Sequence, residues 1–288
     1  MKGTQLSVKR MCQIAKVSRA GYYRYREGLG ATGDQDQSLH SEIQKIALQW
    51  PAYGTRRVTA ELRHRDWTVN RKRVQRLMRE GNLLCRRKRK FVVTTDSGHS
   101  LPVYPNLARD MTLTGINQLW VADITYIRLA EEFVYLAVVL DAYSRRVIGW
   151  ELDRTLEARL ALAALVMALR RRSPSPGLVH HSDRGVQYAS KDYTGRLTAN
   201  GIAISMSRRS NPWDNAACES FMKTLKYEEV YRTEYRDMLD AQTRISGFLE
   251  KVYNQKRLHS ALGYHSPADF EFALLAPSTA ALEAGPRR

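Results

Sequence analysis

Cysteine is scarce in this chain of 288 residues: Cys12, Cys85 and Cys218 are the only three, and they are far apart. They form no CxxC pair and share no Cys/His zinc spacing, which excludes a disulfide framework and a zinc module and fits a reducing compartment. Long apolar runs are also missing. The nearest, Leu160 to Leu169, is followed at once by Arg170, Arg171 and Arg172, and falls well short of the ~20 residues of a membrane helix. The opening Met1-Lys-Gly-Thr leads into no apolar signal segment. A soluble cytoplasmic protein is expected, and no internal repeat is visible.

Acidic charge is short as well, with 29 Asp/Glu against 46 Lys/Arg and a formal net charge of +17. The imbalance is local. Residues 1–110 hold 23 Lys/Arg against 9 Asp/Glu, whereas 111–288 hold 23 against 20. A basic front half joined to a near-neutral back half reads as a polyanion-binding module attached to something else, rather than as a solubilising surface.

In the front half, Ser7 is placed to cap a helix over 8–15 and Ser18 one over 19–25. Residues 1–30 thus read as a helix-turn-helix-like segment, a pattern any small helical hairpin shares. Residues 31–37 read as a polar linker. From 38 to 90 three helices are expected: Leu39–Trp50, a second capped by Thr55 and running to Leu62, and a third capped by Asn70 and running to Arg79. On the third, Val74, Leu77 and Met78 share an apolar face, and Arg71, Lys72, Arg73, Arg76 and Arg79 take the remainder. That is either an amphipathic helix with a solvated basic face or a recognition helix for a DNA groove. Gly81 ends it, and Arg86, Arg87, Lys88, Arg89 and Lys90 follow directly. Such a run suits phosphate neutralisation, so DNA is the favoured reading. Residues 91–113, with Gly98, Pro102 and Pro105, read as an extended linker.

From 114 to 275 the pattern changes. Strands are expected over 118–129, 133–140 and 146–152 as an antiparallel meander, then a helix over 155–170, a strand over 178–181, a helix over 190–199 and a strand over 202–206. A helical pattern carries Glu219, another runs from Tyr235 to Tyr253, and residues 276–288 read as a loose tail.

Three carboxylates stand out in this half. Asp123 sits inside the apolar run Leu119 to Ile127, where an unpaired buried carboxylate is costly. Asp183 ends a short apolar run in His181-Ser-Asp-Arg-Gly185. Glu219 lies in a helical pattern with Phe221, Met222 and Leu225 on a separate face. Asp183 and Glu219 are separated by 35 residues. Two strand-borne Asp residues and then a helix-borne Glu at that gap resemble the DDE integrase and transposase superfamily. His181-Ser-Asp-Arg-Gly-Val-Gln-Tyr188, the stretch from Asn215 to Lys226, and Tyr253-Asn-Gln-Lys-Arg-Leu-His-Ser-Ala-Leu-Gly-Tyr264 are together similar to the second-frame (OrfB) transposases of the bacterial insertion-sequence family numbered three, over roughly residues 5–270.

The resemblance implies an α/β, ribonuclease-H-like catalytic core: a mixed five-stranded sheet with helices on both faces, preceded by an all-α helix-turn-helix-type DNA-binding region. It implies that Asp123, Asp183 and Glu219 hold two Mg²⁺ (or Mn²⁺) ions, a pair suited to activating the attacking oxygen and stabilising the leaving one in phosphodiester transfer. It places Lys226 against DNA, since 226 is two helical turns beyond 219 and on the same face. Asn215, one turn before Glu219, is a candidate for positioning substrate; His181, Arg184 and Gln187 are weaker candidates. His259 has no partner at ligand spacing, Asp141 reads as a structural turn residue, and Asp214 reads as the cap of the Glu219 helix. Ser210, Pro212 and Cys218 depart from the family pattern, which bears on fine geometry. The implied partners are double-stranded DNA (the element's terminal inverted repeats and a target), further copies of the chain on DNA, and an upstream-frame helix-turn-helix protein or fusion. Two rival readings remain at this point: a DNA-binding protein with an inactive core, and a nuclease that cleaves without joining.

Overall fold

The structure is a computed structural model in which residues 7–23, 25, 33–85, 101–208 and 215–275 are described. The expected roles of Arg86, Arg87, Lys88, Arg89, Lys90 and Asp214, the departures at Ser210 and Pro212, and the tail from 276 lie outside the described residues. The chain divides into two compact units, Met1–Lys88 and Arg89–Arg288.

In the first unit, α1 (Val8–Ile14) begins where Ser7 Oγ accepts the Arg10 N–H at 3.4 Å. A second helical segment at 19–23 begins where Ser18 Oγ accepts the Gly21 N–H at 3.0 Å. Next come α2 (Gly33–Gln49), α3 (Thr55–His64) and α4 (Arg71–Glu80). Asn70 caps α4 as expected, its side chain accepting the Lys72 N–H at 2.8 Å. Ile43, Ile46, Val58, Leu62, Val74 and Met78 are fully buried between these helices.

Two expectations need correction here. Helix α2 starts at Gly33, inside the expected linker. Its polar first turn has a partner that periodicity cannot reveal: Asp36 accepts from Arg73 and from Arg76 of α4, both at 2.6 Å. Thr55 is not a cap; Gly54 holds that position, and the Thr55 carbonyl already accepts from Thr59 Oγ1 at 2.7 Å.

The second unit is built on strands β1 (Leu119–Arg128), β2 (Phe133–Asp141), β3 (Val147–Asp153), β4 (Val179–Ser182) and β5 (Ala203–Met206), in the order β3-β2-β1-β4-β5. Strand β2 is antiparallel to β1 and to β3, while β4 pairs parallel with β1 and with β5. Alternate residues of β1 serve opposite faces. Leu119, Val121 and Ile127 join the core beneath α8 (Ala216–Glu228) and α9 (Met238–Gly247). Trp120 and Ala122 join the core beneath α5 (Ala158–Arg172), α6 (Val186–Ala189) and α7 (Lys191–Ala199). Helix α5 lies so close to the sheet that a Cβ on Gly149 would sit 2.1 Å from the Ala164 carbonyl oxygen.

Helix boundaries shift where side chains hold the backbone elsewhere. Helix α5 starts at Ala158, not Thr155, because Asp153 Oδ1 accepts both the N–H (3.0 Å) and the hydroxyl (3.2 Å) of Thr155 in a turn. The single helix expected over 235–253 is instead α9, capped by Asp237, running into a π-helical segment Phe248–Tyr253. Tyr235 is buried outside it, donating to Glu229 at 3.1 Å.

Much of the third family word serves the fold. The Asn254 side chain donates to the Val147 carbonyl (2.9 Å) and accepts its N–H (3.0 Å), completing β3 where the ladder shifts register. Arg257, 3% exposed, pairs with Glu228 at the end of α8 at 2.7 Å. Asp141 is structural, as expected: it accepts the N–H groups of Asn117 (2.6 Å), Tyr143 (3.0 Å) and Ser144 (2.9 Å). The terminal helix α10 (Pro267–Leu275) is locked on by buried Glu271, which accepts from Ser144 Oγ and Arg146, both at 2.6 Å, and from Arg172. Burial alone would raise the Glu271 pKa; the hydrogen bonds from Arg172 and Ser144 outweigh it and hold the group below its ordinary value. Among the described residues, no helix is long and apolar enough to cross a membrane.

Replacing Glu271 with Ala leaves the nearly buried Arg172 without its carboxylate. Because breaking a buried pair from one side is costly, the variant is expected to lose about 3–5 kcal/mol of stability in a urea titration. A loss below about 1 kcal/mol would show that α10 does not depend on this lock.

Candidate active site

Strand register brings two of the carboxylates level. In the parallel β1–β4 pair Val121 stands opposite His181. Two residues further along each segment come Asp123, in the middle of β1, and Asp183, the residue after β4. Asp123 Oδ1 accepts the Ile124 N–H at 2.9 Å, and Asp183 Oδ1 accepts the Gly185 N–H at 2.9 Å. A Cβ on Gly185 would lie 3.0 Å from that same Asp183 oxygen, so glycine keeps this turn tight.

Glu219 comes from the first turn of α8, whose Cys218, Phe221, Met222 and Leu225 are buried beneath it. The residue at the head of α8 is Asn215, where Asp214 was expected to cap. Its side chain makes no capping bond; its Nδ2 reaches across to the Ala122 carbonyl at 3.1 Å and ties the helix start to the residue before Asp123. Among the described residues, Asn215 Oδ1 is buried without a hydrogen-bond partner, and so is the hydroxyl of Tyr188. Burial raises the Tyr188 phenol pKa, and neighbouring Tyr193, Asp123 and Asp183 raise it further.

The three carboxylates feel one another. Asp123 is pushed up to about 7, first by burial and then by the Asp183 charge, with a smaller push from Glu219; the Ile124 N–H and Lys226 oppose the rise. Burial lowers the pKa of Lys226, against the pull of Asp123, and its Nζ stands 4.9 Å from the centre of the Tyr126 ring. The Glu219 carboxylate is engaged by Lys223 at 3.4 Å. Among the described residues no three His, Cys, Asp or Glu groups stand close enough together to hold an ion. The donors nevertheless fit a hard divalent cation. They are all carboxylate oxygens, and one is held near neutrality by burial and a like charge, a state that a cation relieves.

The other sequence candidates are placed as follows. His181 is fully buried, with Nδ1 2.7 Å from Ser205 Oγ and Nε2 2.9 Å from Ser207 Oγ, so both ring nitrogens are taken. Arg184 donates to the Ser207 carbonyl at 2.8 Å, and Gln187 to the Leu156 carbonyl at 2.9 Å. The His259 ring packs on Tyr253 with centroids 4.9 Å apart, and its backbone bridges to His265. In the first unit Arg71 and Lys72 are exposed at the start of α4, while Arg73 and Arg76 are held on Asp36. Sequence reasoning missed the groove that opens from the carboxylates. Besides Asp123, Glu219 and Lys226 it is lined by Tyr126, Tyr227, Tyr231, Arg128 and Lys223. The spacing of Tyr227 and Tyr231, one helical turn apart, was the available signal.

Comparison with known proteins identifies the family. Residues 114–212 and 200–267 match family models described as "Integrase core domain", and residues 34–91 one described as "HTH-like domain". "Transposase InsF for insertion sequence IS3A" from Escherichia coli (strain K12) is 36% identical over 272 residues, covering 93% of this chain and 94% of that protein. The chain belongs to the IS3-family transposases. Another relative, "Insertion element IS600 uncharacterized 31 kDa protein" from Shigella sonnei, is 41% identical over 263 residues, covering 90% of this chain and 97% of that protein. Among solved structures, the HTLV-2 integrase catalytic core domain in complex with magnesium matches at a TM-score of 0.41 and 15% identity, covering 54% of this chain and 96% of that one. As a member of this family the chain is a DNA-cleaving and DNA-transferring enzyme with an integrase core.

Asp123 supplies a direct check on the site's electrostatics. Its pKa is raised on folding, so the folded state holds a proton that the unfolded state releases between about pH 4 and 7. Its contribution to stability is therefore full in acid and lost as pH rises through about 7. Without divalent ions, Asp123→Asn is expected to be more stable than wild type at pH 8, by on the order of 1–3 kcal/mol, with the gap narrowing as pH falls and closing below about pH 4. Equal melting temperatures at pH 8 would refute this account of the site.

Proposed function

We propose that Asp123, Asp183 and Glu219 are the catalytic residues of this transposase, and that they cut the ends of its element and join them to a target by a DDE mechanism. What carries the reading is the β1–β4 register, which sets the two aspartates level, together with the Asn215 tether that fixes the Glu219 helix beside them. Asp123, Asp183 and Glu219 would hold two Mg²⁺ or Mn²⁺ ions. Bound there, such ions supply charge neutralisation at a reacting phosphodiester and favour the deprotonated form of the attacking oxygen.

In this reading water first attacks the phosphodiester at the element end and frees a 3′-OH. That hydroxyl then attacks a phosphodiester of the target, so no covalent protein–DNA link forms and no ATP is used. Lys226, Lys223 and Arg128 line the approach and balance the charge of incoming phosphates. The first unit grips double-stranded element ends. Arg71 and Lys72, exposed beside the N-terminus of α4, and the run Arg86 to Lys90 contact phosphates. Arg73 and Arg76, clamped by Asp36, brace α4. The working form is a multimer on DNA, joined by an upstream-frame helix-turn-helix protein or fusion.

The decisive assay is strand transfer with labelled element-end DNA and Mg²⁺ or Mn²⁺. Wild type is expected to give joined product. Glu219→Gln is expected to fall at least about a hundredfold, since a metal ligand serves several kcal/mol of charge stabilisation, while still binding DNA. Equal joining by both proteins would remove Glu219 from the mechanism, and cleavage without joining would make the chain a nuclease.

For the first unit, replacing both Arg71 and Lys72 with Ala is expected to lower the slope of log K against log salt by about 2 without changing sequence preference. An unchanged slope would clear those two residues of phosphate contact.

A further inference from the structure

The groove beside the carboxylates has a character that cutting and joining phosphodiesters does not itself demand. Its volume is about 840 Å³, and it runs from Asp123 and Glu219 along the last residues of β1 and the last turn of α8.

Rings and cations share its lining with apolar Leu129, Met222 and Val230 and with the carboxylate of Glu234. Tyr227 and Tyr231 meet edge to face with centroids 5.6 Å apart. Tyr126 carries Lys226 Nζ at 4.9 Å over its ring and packs edge-on against Phe133 at 5.8 Å. Tyr126, Tyr227 and Tyr231 all line the groove. Lys223 and Arg128 flank them. Tyr231 is 57% exposed, so its ring is on offer to a ligand rather than held in the core. Aromatic rings interleaved with cations are the chemistry of single-strand binding: every base has a π-face to stack, and the cations follow the backbone.

We infer that this groove is a subsite for one or two unpaired nucleotides next to the phosphodiester being cut, stacked on Tyr231 and Tyr126 with Lys223, Lys226 and Arg128 on their phosphates. The inference rests on the catalytic reading above and deepens it. In a closed duplex the bases stack on one another and offer no face to Tyr231, which is exposed in the groove. Fraying the end frees a base, and tyrosine stacking replaces the base stacking it loses. The subsite accepts any base, so it serves the approach and leaves sequence reading to other residues.

Two measurements on the full chain test this. In the first, element-end DNA carries 5-iodouracil at its terminal positions and is irradiated with the protein in the absence of divalent ions. The crosslink is expected at Tyr231 or Tyr126; crosslinks confined to residues 1–88 would overturn the proposal. In the second, strand cleavage is compared on fully paired ends and on ends whose last two base pairs are mismatched. Tyr231→Ala is expected to cut paired ends about 5- to 150-fold more slowly, the loss of one stacked base, and to recover most of that on mismatched ends. Tyr231→Phe keeps the ring and loses far less. A Tyr231→Ala that cuts both ends at the wild-type rate, or slows on both by the same factor, would overturn the proposal. If wild type crosslinks at Tyr231 yet cuts neither substrate, the subsite stands and the catalytic reading falls.

Discussion

The charges of Asp183 and Glu219 both bear on Asp123, and the second unit holds Asp123 within their reach. Asp123 is on the central strand, paired on one side with β2 over its whole length and on the other with β4. It cannot move away from Asp183 without breaking ladder hydrogen bonds, so it takes up a proton instead, and its pKa is pushed to about 7. A sheet with cores on both faces is the scaffold this needs: it is rigid enough to keep like charges near each other in a partly dry site.

The third carboxylate is held more loosely. Glu219 lies on a helix rather than in the ladder, its side chain is 38% exposed, and Lys223 engages it. Helix α8 is fixed at both ends by side chains, with Asn215 bound to the Ala122 carbonyl at its start and Glu228 bound to buried Arg257 near its end. The wider shell follows the same pattern. Asn254 completes β3, and Glu271 gathers Ser144, Arg146 and Arg172 under α10. These buried polar groups contribute specificity of arrangement, since each has one partner set and one geometry.

Legibility in the sequence followed the same division. The strands could be read because alternation and β-branched runs are local, and the level placement of Asp123 and Asp183 follows from β1 and β4 being parallel neighbours. Features that depend on distant partners could not be read. The first turn of α2 looked like a linker, because Asp36 gains its stability from Arg73 and Arg76 some 40 residues away. The same contact altered the reading of α4: two of the arginines assigned to DNA turn out to be held within the unit. Asn254 and Arg257 stood in a recognisable motif, yet only the fold shows that they serve β3 and α8. The Tyr227/Tyr231 spacing hinted at the tyrosine groove, but Tyr126 lies more than a hundred residues from Tyr231, on an element whose packing against it no local pattern specifies.

Charge balance explains how such a site folds before any ion or substrate arrives. Lys223 lies on Glu219, and Lys226, held half-buried over Tyr126, lowers the cost of charge on Asp123. The two lysines are one turn of α8 apart, so one helix carries both a carboxylate of the site and the cations that offset it. Burial lowers the pKa of Lys226, but the Asp123 charge acts to keep it protonated. The balance is incomplete, since Asp123 still rises toward neutrality. In the proposed reading, a divalent cation at the carboxylates would relieve that remaining imbalance.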